Sequence, residues 1–246
     1  HFLNEPVENN MPVILGFLGI WHINICNYVT RAILPYDQRL NAFPSYIQQL
    51  DMESNGKSIT SDGENVSEKT GVIVWGAAGT NSQHSFFQLL HQGSEIVPCE
   101  FMLAANEHEE GMKEHKDLLI ANCLAQSQAL MVGRSIQEVI RILKKRGVPH
   151  EEAIRLAPHR KFMGNRPSST ILYKKLDPKT LGKIIALYEH RVFVEGITWN
   201  LDSFDQWGVE LGKELASDML TCLDESSDSK NKDNNYGEQD ASTVGL

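Results

Sequence analysis

Residues 72–81, VIVWGAAGTN, give the clearest indication of how this chain folds. Val72 to Trp75 form an entirely apolar run of strand length, which is typical of a strand in the middle of a parallel sheet. A glycine-containing loop follows, and the residues from about Ser82 to His91 have the spacing of a helix. The stretch therefore predicts one strand–loop–helix unit of an α/β fold.

The same alternation of strand and helix extends in both directions from this unit. Further strands are predicted at residues 32–34, 96–103 and 170–173. Helices are predicted at residues 11–28, 40–52 and 117–131, after the capping box that starts at Ser135, and from Asp177 to about residue 190. Residues 11–28 are apolar on nearly all sides, so we expect a buried helix there. Together the elements predict an α/β fold, a three-layer αβα sandwich with a mainly parallel sheet.

Length and charge divide the chain into a body and a tail. The 246 residues are 41% hydrophobic and 22% charged, which suffices for one sizeable core. The formal net charge is −9, and from Asp218 onward seven acids face two lysines, so −5 lies in the tail. We predict a folded domain over residues 1–217 and a polar acidic tail over 218–246, mobile or partly ordered from residue 224. Neither charge favours nucleic acid or an anionic membrane as a partner.

Cysteine use and the chain start indicate the compartment. The cysteines, Cys26, Cys99, Cys123 and Cys222, match no zinc spacing and no dense disulfide framework, so we expect reduced thiols and a cytoplasmic protein. The apolar run before Cys26 is too short for a membrane span and lacks the basic flank of a signal peptide. The chain begins with His1 rather than Met, which predicts a processed or excised fragment.

A first candidate site is the segment QQLDMESNGK, residues 48–57. Glu53 lies near the predicted end of a helix, next to the glycine turn at Gly56. Such a carboxylate can act as a general base, since an ordinary glutamate with a pKa of about 4.3 is ionised at neutral pH. A lone glutamate at a helix end is nevertheless more often a solvated surface residue, so the segment alone leaves both interpretations open.

A second candidate is the loop of residues 76–84, GAAGTNSQH. Backbone N–H groups at the start of a helix favour anions, but the loop lacks the lysine of a phosphate-binding P-loop. On residue type alone, His84 is better explained as a capping or packing histidine. His84, Gln88 and His91 are predicted to share a helix face as polar packing, with no metal. His108 and His115 are predicted to be surface residues.

A third candidate is the stretch GITWNLDSFDQWGVELGK, residues 196–213. Ile197, Trp199 and Leu201 alternate with polar residues, which predicts a strand, and a helix is predicted after Asp205. Gln206 and Lys213 are seven residues apart, so the spacing predicts that they share one helix face. On spacing alone, Lys213 is better explained as a solvated lysine in a weak ion pair, since Glu210 precedes it by three residues and Glu214 is adjacent.

The three stretches together resemble the signatures of the phosphoglucose isomerase family. The resemblance implies that Glu53 is the base that moves a proton between C1 and C2 of a sugar phosphate, and that Gln49 contacts the substrate. It implies that His84 helps to open the sugar ring in the site of a partner subunit, and that Lys213 binds substrate and assists ring opening. Gln206 is an implied substrate contact. The family implies a homodimer that needs neither metal nor cofactor.

The resemblance also has departures and limits. Ala77-Ala78 stand where the family has Glu-Pro, and Ser82 replaces a glycine, which leaves the geometry of that turn open. The likeness covers only the C-terminal part of the family's length. The phosphate-binding serine and threonine loops and the arginine that faces the enediolate belong to the other part, so we expect the fragment alone to be inactive or nearly so. A non-catalytic sugar-phosphate-binding module and a secreted, cytokine-like role remain as alternatives.

Overall fold

The computed structural model describes residues 1–227, and these residues form two compact units. The first unit runs from His1 to Phe204 and contains the whole sheet, and the second begins at Asp205. The boundary predicted after residue 217 falls within the last helix, Glu210–Ser227. Most of the predicted tail, from residue 228 on, lies outside the described residues.

A four-stranded parallel sheet is the centre of the first unit. Its strands are β1 Thr30–Pro35, β2 Ile73–Gly76, β3 Cys99–Ala104 and β4 Ser168–Tyr173. Their order is β2-β1-β3-β4, and every neighbouring pair is parallel. Ile33 of β1 is the register partner of both Gly76 of β2 and Glu100 of β3.

Helices cover both faces of this sheet. They are α1 Met11–Ile20, α2 Phe43–Asn55, α3 Gly79–Ser82, α4 Phe87–Gln92, α5 Lys113–Val132, α6 Ile136–Lys145, α7 His150–Leu156 and α8 Pro178–Thr198, with α9 Glu210–Ser227 in the second unit. Alternate residues of a strand point to opposite faces. Ile33 therefore packs in the core formed with α2 and α8, whereas Ala32 and Leu34 pack in the core formed with α4 and α5. The predicted three-layer α/β fold is confirmed.

The sequence signals at helix starts are confirmed by side-chain contacts. Ser135 Oγ accepts a hydrogen bond from Glu138 N at 3.2 Å, and the Glu138 carboxylate accepts one from Ser135 N at 2.8 Å. Asp177 caps α8 by accepting from Thr180 N at 2.6 Å. Each cap satisfies backbone N–H groups that have no partner within the helix.

Two predictions about strands need correction. The apolar run at Val72–Trp75 does form a strand, but β2 lies at an edge of the sheet, and Ile73 is 57% exposed. The alternating residues after Gly196 form no strand, because α8 continues to Thr198. A Cβ at Gly196 would overlap the Ser203 hydroxyl, so this glycine allows the chain to return closely against the helix.

Two helix predictions also need correction. The helix expected from Ser82 to His91 is interrupted after α3, so His84 lies in a turn and does not share a helix face with Gln88 and His91. The helix expected at residues 11–28 is present as α1 with a π-helical extension, Trp21–Ile25, but it is not buried all round. Phe17 is 49% exposed, while Gly16 and Gly19 on the opposite face allow α1 to approach α8 closely.

None of the helices in residues 1–227 combines the length and apolarity that a membrane crossing requires. Cys26, Cys99 and Cys123 are free thiols: Cys99 and Cys123 are buried, and Cys26 is partly exposed.

Candidate active site

The end of α2 presents two of the predicted residues on one exposed face. Gln49 and Glu53 are four residues apart, which is about one helical turn, and both are exposed. The opposite face of the same turn is buried and polar, with Asp51, Ser54 and Asn55 turned inward. In residues 48–57, the exposed carboxylate of Glu53 and the buried polar side chains therefore lie on opposite faces of α2.

The turn that follows Glu53 is attached to the end of α8 and the loop after it. Asn55 Nδ2 donates to the Val192 carbonyl at 3.0 Å, and Asn55 Oδ1 accepts from Ser203 Oγ at 2.5 Å. Lys57 Nζ donates to the Asp202 carbonyl. Residues 48–57 are thus in contact with the beginning of the third candidate stretch, as far as Ser203, although the two are far apart in sequence.

A cluster of five buried charged side chains lies beneath α2. Arg31 of β1 contacts Asp51, and its guanidinium lies 3.6 Å from Glu100 and 3.5 Å from Glu195. Arg191 of α8 pairs with Glu100 and, at 2.9 Å, with Glu195. All five side chains are at most 7% exposed. We call these residues the charge cluster.

Two carboxylates of the charge cluster have opposite pKa shifts. Burial raises the pKa of Asp51 to about 6, because the attraction of Arg31 does not fully offset the loss of water and the repulsion from Glu195. Burial acts on Glu100 in the same direction, but Arg191 and Arg31 outweigh it and hold the pKa of Glu100 at about 2. Tyr188 also donates a hydrogen bond to Glu100 at 2.7 Å.

The turn that carries His84 depends on two glycines. Gly76 has φ +151° and lies against the backbone of Ile33, and Gly79 packs against the ring of Tyr36, where a Cβ would overlap it. His84 itself is exposed. Ser82, which replaces the glycine of the family pattern, is buried and donates from Oγ to the Gly79 carbonyl at 2.8 Å. The turn therefore accommodates serine in place of glycine, because the buried hydroxyl has a hydrogen-bond partner.

In the second unit, Gln206 and Lys213 are both exposed. Gln206 precedes the 3₁₀ turn Trp207–Val209, and Lys213 lies in the first turn of α9. Gln206 has φ −138° and is not helical, so the prediction that the two residues share a helix face is wrong. The approach of Lys213 and Gln206 to Glu53, and the role of His84 in a partner's site, stay predictions.

Sequence reasoning missed the charge cluster, although two signals were present. Arg31 and Glu100 are charged residues within otherwise apolar strands, where an unpaired charge would be very unfavourable. Asp51 lies inside the candidate segment of residues 48–57, two residues before Glu53. A search for charged residues at buried strand positions would have found the partners, though not their pairing.

Sequence reasoning also misjudged His108. Its side chain is 11% exposed rather than on the surface, and its Nε2 accepts a hydrogen bond from Leu176 N at 2.9 Å. His108, Asp37 and Lys116 line a cavity of about 270 Å³ beyond the ends of β1 and β3. His115, the other histidine of that segment, is exposed as predicted.

These features define a class of protein. The first unit is an open, parallel α/β domain with candidate acid–base side chains on exposed turns, and residues 1–227 contain no group of three or more metal-binding side chains. The chain belongs to the phosphoglucose isomerase family, because the family model described as "Phosphoglucose isomerase" matches residues 1–246.

Individual relatives agree with this assignment. The chain is 58% identical over 246 residues to glucose-6-phosphate isomerase of Chelativorans sp. (strain BNC1), covering all of this chain and 44% of that protein. It is 60% identical over 223 residues to glucose-6-phosphate isomerase of Xanthobacter autotrophicus, covering 91% of this chain and 41% of that protein. The chain therefore spans well under half the length of these curated relatives.

Solved structures support the same fold. A crystal structure of a glucose-6-phosphate isomerase from Chlamydia trachomatis matches with a TM-score of 0.77 and 38% identity, covering 92% of this chain and 41% of that one. The hypothetical protein TT0462 from Thermus thermophilus matches with a TM-score of 0.60 at 21% identity and shows the fold alone.

Proposed function

We propose that the chain contributes the proton-transferring part of a glucose-6-phosphate isomerase, which interconverts glucose 6-phosphate and fructose 6-phosphate. The observation that carries the proposal is the exposed Glu53 on a firmly anchored turn, within a chain of the phosphoglucose isomerase family. Gln49, which is exposed on the same face, is proposed to contact the sugar.

In the proposed reaction, the Glu53 carboxylate removes the proton from C2 of the open-chain aldose. The electron pair forms the C1–C2 double bond of a cis-enediol, and the C1 oxygen takes up a proton. The O2 hydroxyl then loses its proton as C2 becomes a carbonyl, and Glu53 returns its proton to C1. One carboxylate suffices for both transfers, so this route uses no metal or cofactor.

The remaining predicted residues act before the proton transfer. His84 and Lys213 assist opening of the cyclic sugar, since an imidazole both accepts and donates protons near neutral pH and an ammonium group can donate one. Gln206 contacts the substrate. We further propose a cytoplasmic homodimer of sugar-isomerase type domains in which His84 serves the site of the partner subunit.

The reaction also requires groups that the candidate site described above does not include. A phosphate dianion needs several hydrogen-bond donors, and the enediolate oxygen needs a nearby positive charge. We expect these groups to come from the part of the family's length that this chain does not span. The chain on its own is therefore expected to show little or no turnover.

A coupled assay tests this proposal. The chain would be co-expressed with the part of the Chelativorans relative that it does not match, and fructose 6-phosphate formation would be followed. We expect turnover with the completed enzyme, and a loss of about 10²- to 10⁴-fold in kcat for Glu53→Gln. Full turnover by Glu53→Gln would show that the base is another residue.

The alternative function is a sugar-phosphate-binding module without catalysis, because an α/β domain can bind a ligand without transforming it. Titration calorimetry of the chain with fructose 6-phosphate separates the two functions. Binding by the chain, together with no turnover by the completed enzyme, would support the module.

A further inference from the structure

The charge cluster has an uneven charge balance. Three carboxylates face two guanidinium groups, and Asp51 is fully buried. In the described structure, Asp51 Oδ1, Glu195 Oε2 and Arg31 Nε have no hydrogen-bond partner. Buried polar atoms normally have partners, and a missing partner is unfavourable for the folded state.

Ionised Asp51 therefore lowers the stability of the fold. The folded-state pKa of Asp51, about 6, lies above its ordinary value of 3.8, so the folded chain binds a proton more tightly than the unfolded chain does. The stabilising contribution of this proton is complete below pH 3.8 and is lost as the pH rises through 6. At neutral pH an uncharged residue at position 51 would give a higher free energy of unfolding. This argues that Asp51 has a role other than stability.

The position of Asp51 suggests that role. Asp51 belongs to α2 and precedes Glu53 by two residues, whereas Glu100 and Glu195 belong to β3 and α8. Asp51 and Asn55, one helical turn apart, attach the last turn of α2 to Arg31 of β1 and to α8. Glu53 lies between these two anchors on the opposite, exposed side.

We propose that Asp51, held by Arg31 of the charge cluster, is a positioning residue that fixes the last turn of α2 and thereby the carboxylate of Glu53. This role rests on the proposed function, in which Glu53 transfers the proton. It does not place Asp51 in contact with the substrate. A displacement of a catalytic group by about 1 Å can lower the rate by about 10²-fold.

The kinetic test compares two variants that change the charge of the cluster equally. Asp51→Asn and Glu195→Gln each remove one negative charge next to the same arginines, but only Asp51 lies on α2. In the completed enzyme, we expect Asp51→Asn to lower kcat per folded molecule by about 30-fold or more with KM within about threefold. Glu195→Gln should keep kcat within about threefold of the unchanged enzyme.

A second measurement uses the chain alone and needs no activity. Hydrogen–deuterium exchange would compare the amides of residues 53–57 with those in the middle of α8. We expect Asp51→Ala, which removes both the charge and the oxygen that Arg31 contacts, to accelerate exchange at residues 53–57 by about tenfold or more. Glu195→Gln should leave exchange at residues 53–57 unchanged.

Three results would overturn the positioning role: full kcat in Asp51→Asn, an equal loss in Glu195→Gln, or unchanged exchange at residues 53–57. These results are distinct from a failure of the proposed function. If Glu53→Gln kept full turnover, the assignment of Glu53 as the base would be wrong. If Glu53→Gln were inactive and Asp51→Asn fully active, only the positioning role of Asp51 would be wrong.

Discussion

The turns that carry Glu53 and His84 are held in place by different forces. The Glu53 turn is anchored by buried charges and side-chain hydrogen bonds, through Asp51 and Asn55. The His84 turn is shaped by sterics, because Gly76 and Gly79 allow the backbone to approach Ile33 and Tyr36. Support by buried ion pairs depends on pH and on the presence of every partner. Support by close packing depends on the volumes of the side chains in contact. Three variants can separate these two modes of support.

The largest effect is expected when the charge cluster loses an arginine. Arg31→Met would leave Asp51, Glu100 and Glu195 buried with Arg191 as their remaining partner in the cluster. Breaking a buried pair in this way costs about 3–5 kcal/mol of unfolding free energy. Urea unfolding of the chain measures the loss, and Arg155→Met, which removes an exposed pair with Glu152, provides the control with no expected change.

A smaller effect, with a characteristic pH dependence, is expected for Asp51→Asn. Because the pKa of Asp51 is raised to about 6, ionised Asp51 destabilises the unchanged chain only as the pH rises above about 4. The variant should therefore gain about 1–3 kcal/mol relative to the unchanged chain between pH 4 and pH 7. Urea unfolding at several pH values measures this difference, and a constant difference would show that Asp51 carries no such shift.

An effect of similar size, but independent of pH, is expected in the turn that packing supports. Gly79→Ala would place a methyl group against the ring of Tyr36 and should cost about 1–3 kcal/mol. Burial raises the pKa of Tyr36 to about 12, so this residue stays neutral and the cost should not vary between pH 5 and pH 8. Thermal unfolding measures it.

Gly182→Ala in α8 serves as the matched control for Gly79→Ala. A Cβ at Gly182 has no heavy atom within 4 Å, and alanine is the better helix former. We expect the control to raise stability by up to about 1 kcal/mol. A loss at both positions would mean that the substitution itself, rather than the contact with Tyr36, is unfavourable.

Local sequence signals predicted the elements well where the cause is local. Pro35 ends β1, the capping box at Ser135 starts α6, and Asp177 caps α8, because each of these effects involves residues close together in the chain. The predictions failed where distant contacts decide. Whether β2 lies in the middle or at the edge of the sheet depends on strand order, and the length of α8 depends on the space that Gly196 leaves for Ser203.

For the candidate site, the resemblance of three sequence stretches to the phosphoglucose isomerase family determined the choice of Glu53, His84 and Lys213 as candidates. The spacing of residues also determined Gln49 and Glu53 as neighbours, because four residues make about one helical turn. Only the tertiary structure decided that Arg31, Asp51, Glu100, Arg191 and Glu195 meet beneath α2. These residues come from four elements, and the free energy of a buried charge depends on its neighbours in space, which a local pattern in the sequence does not specify.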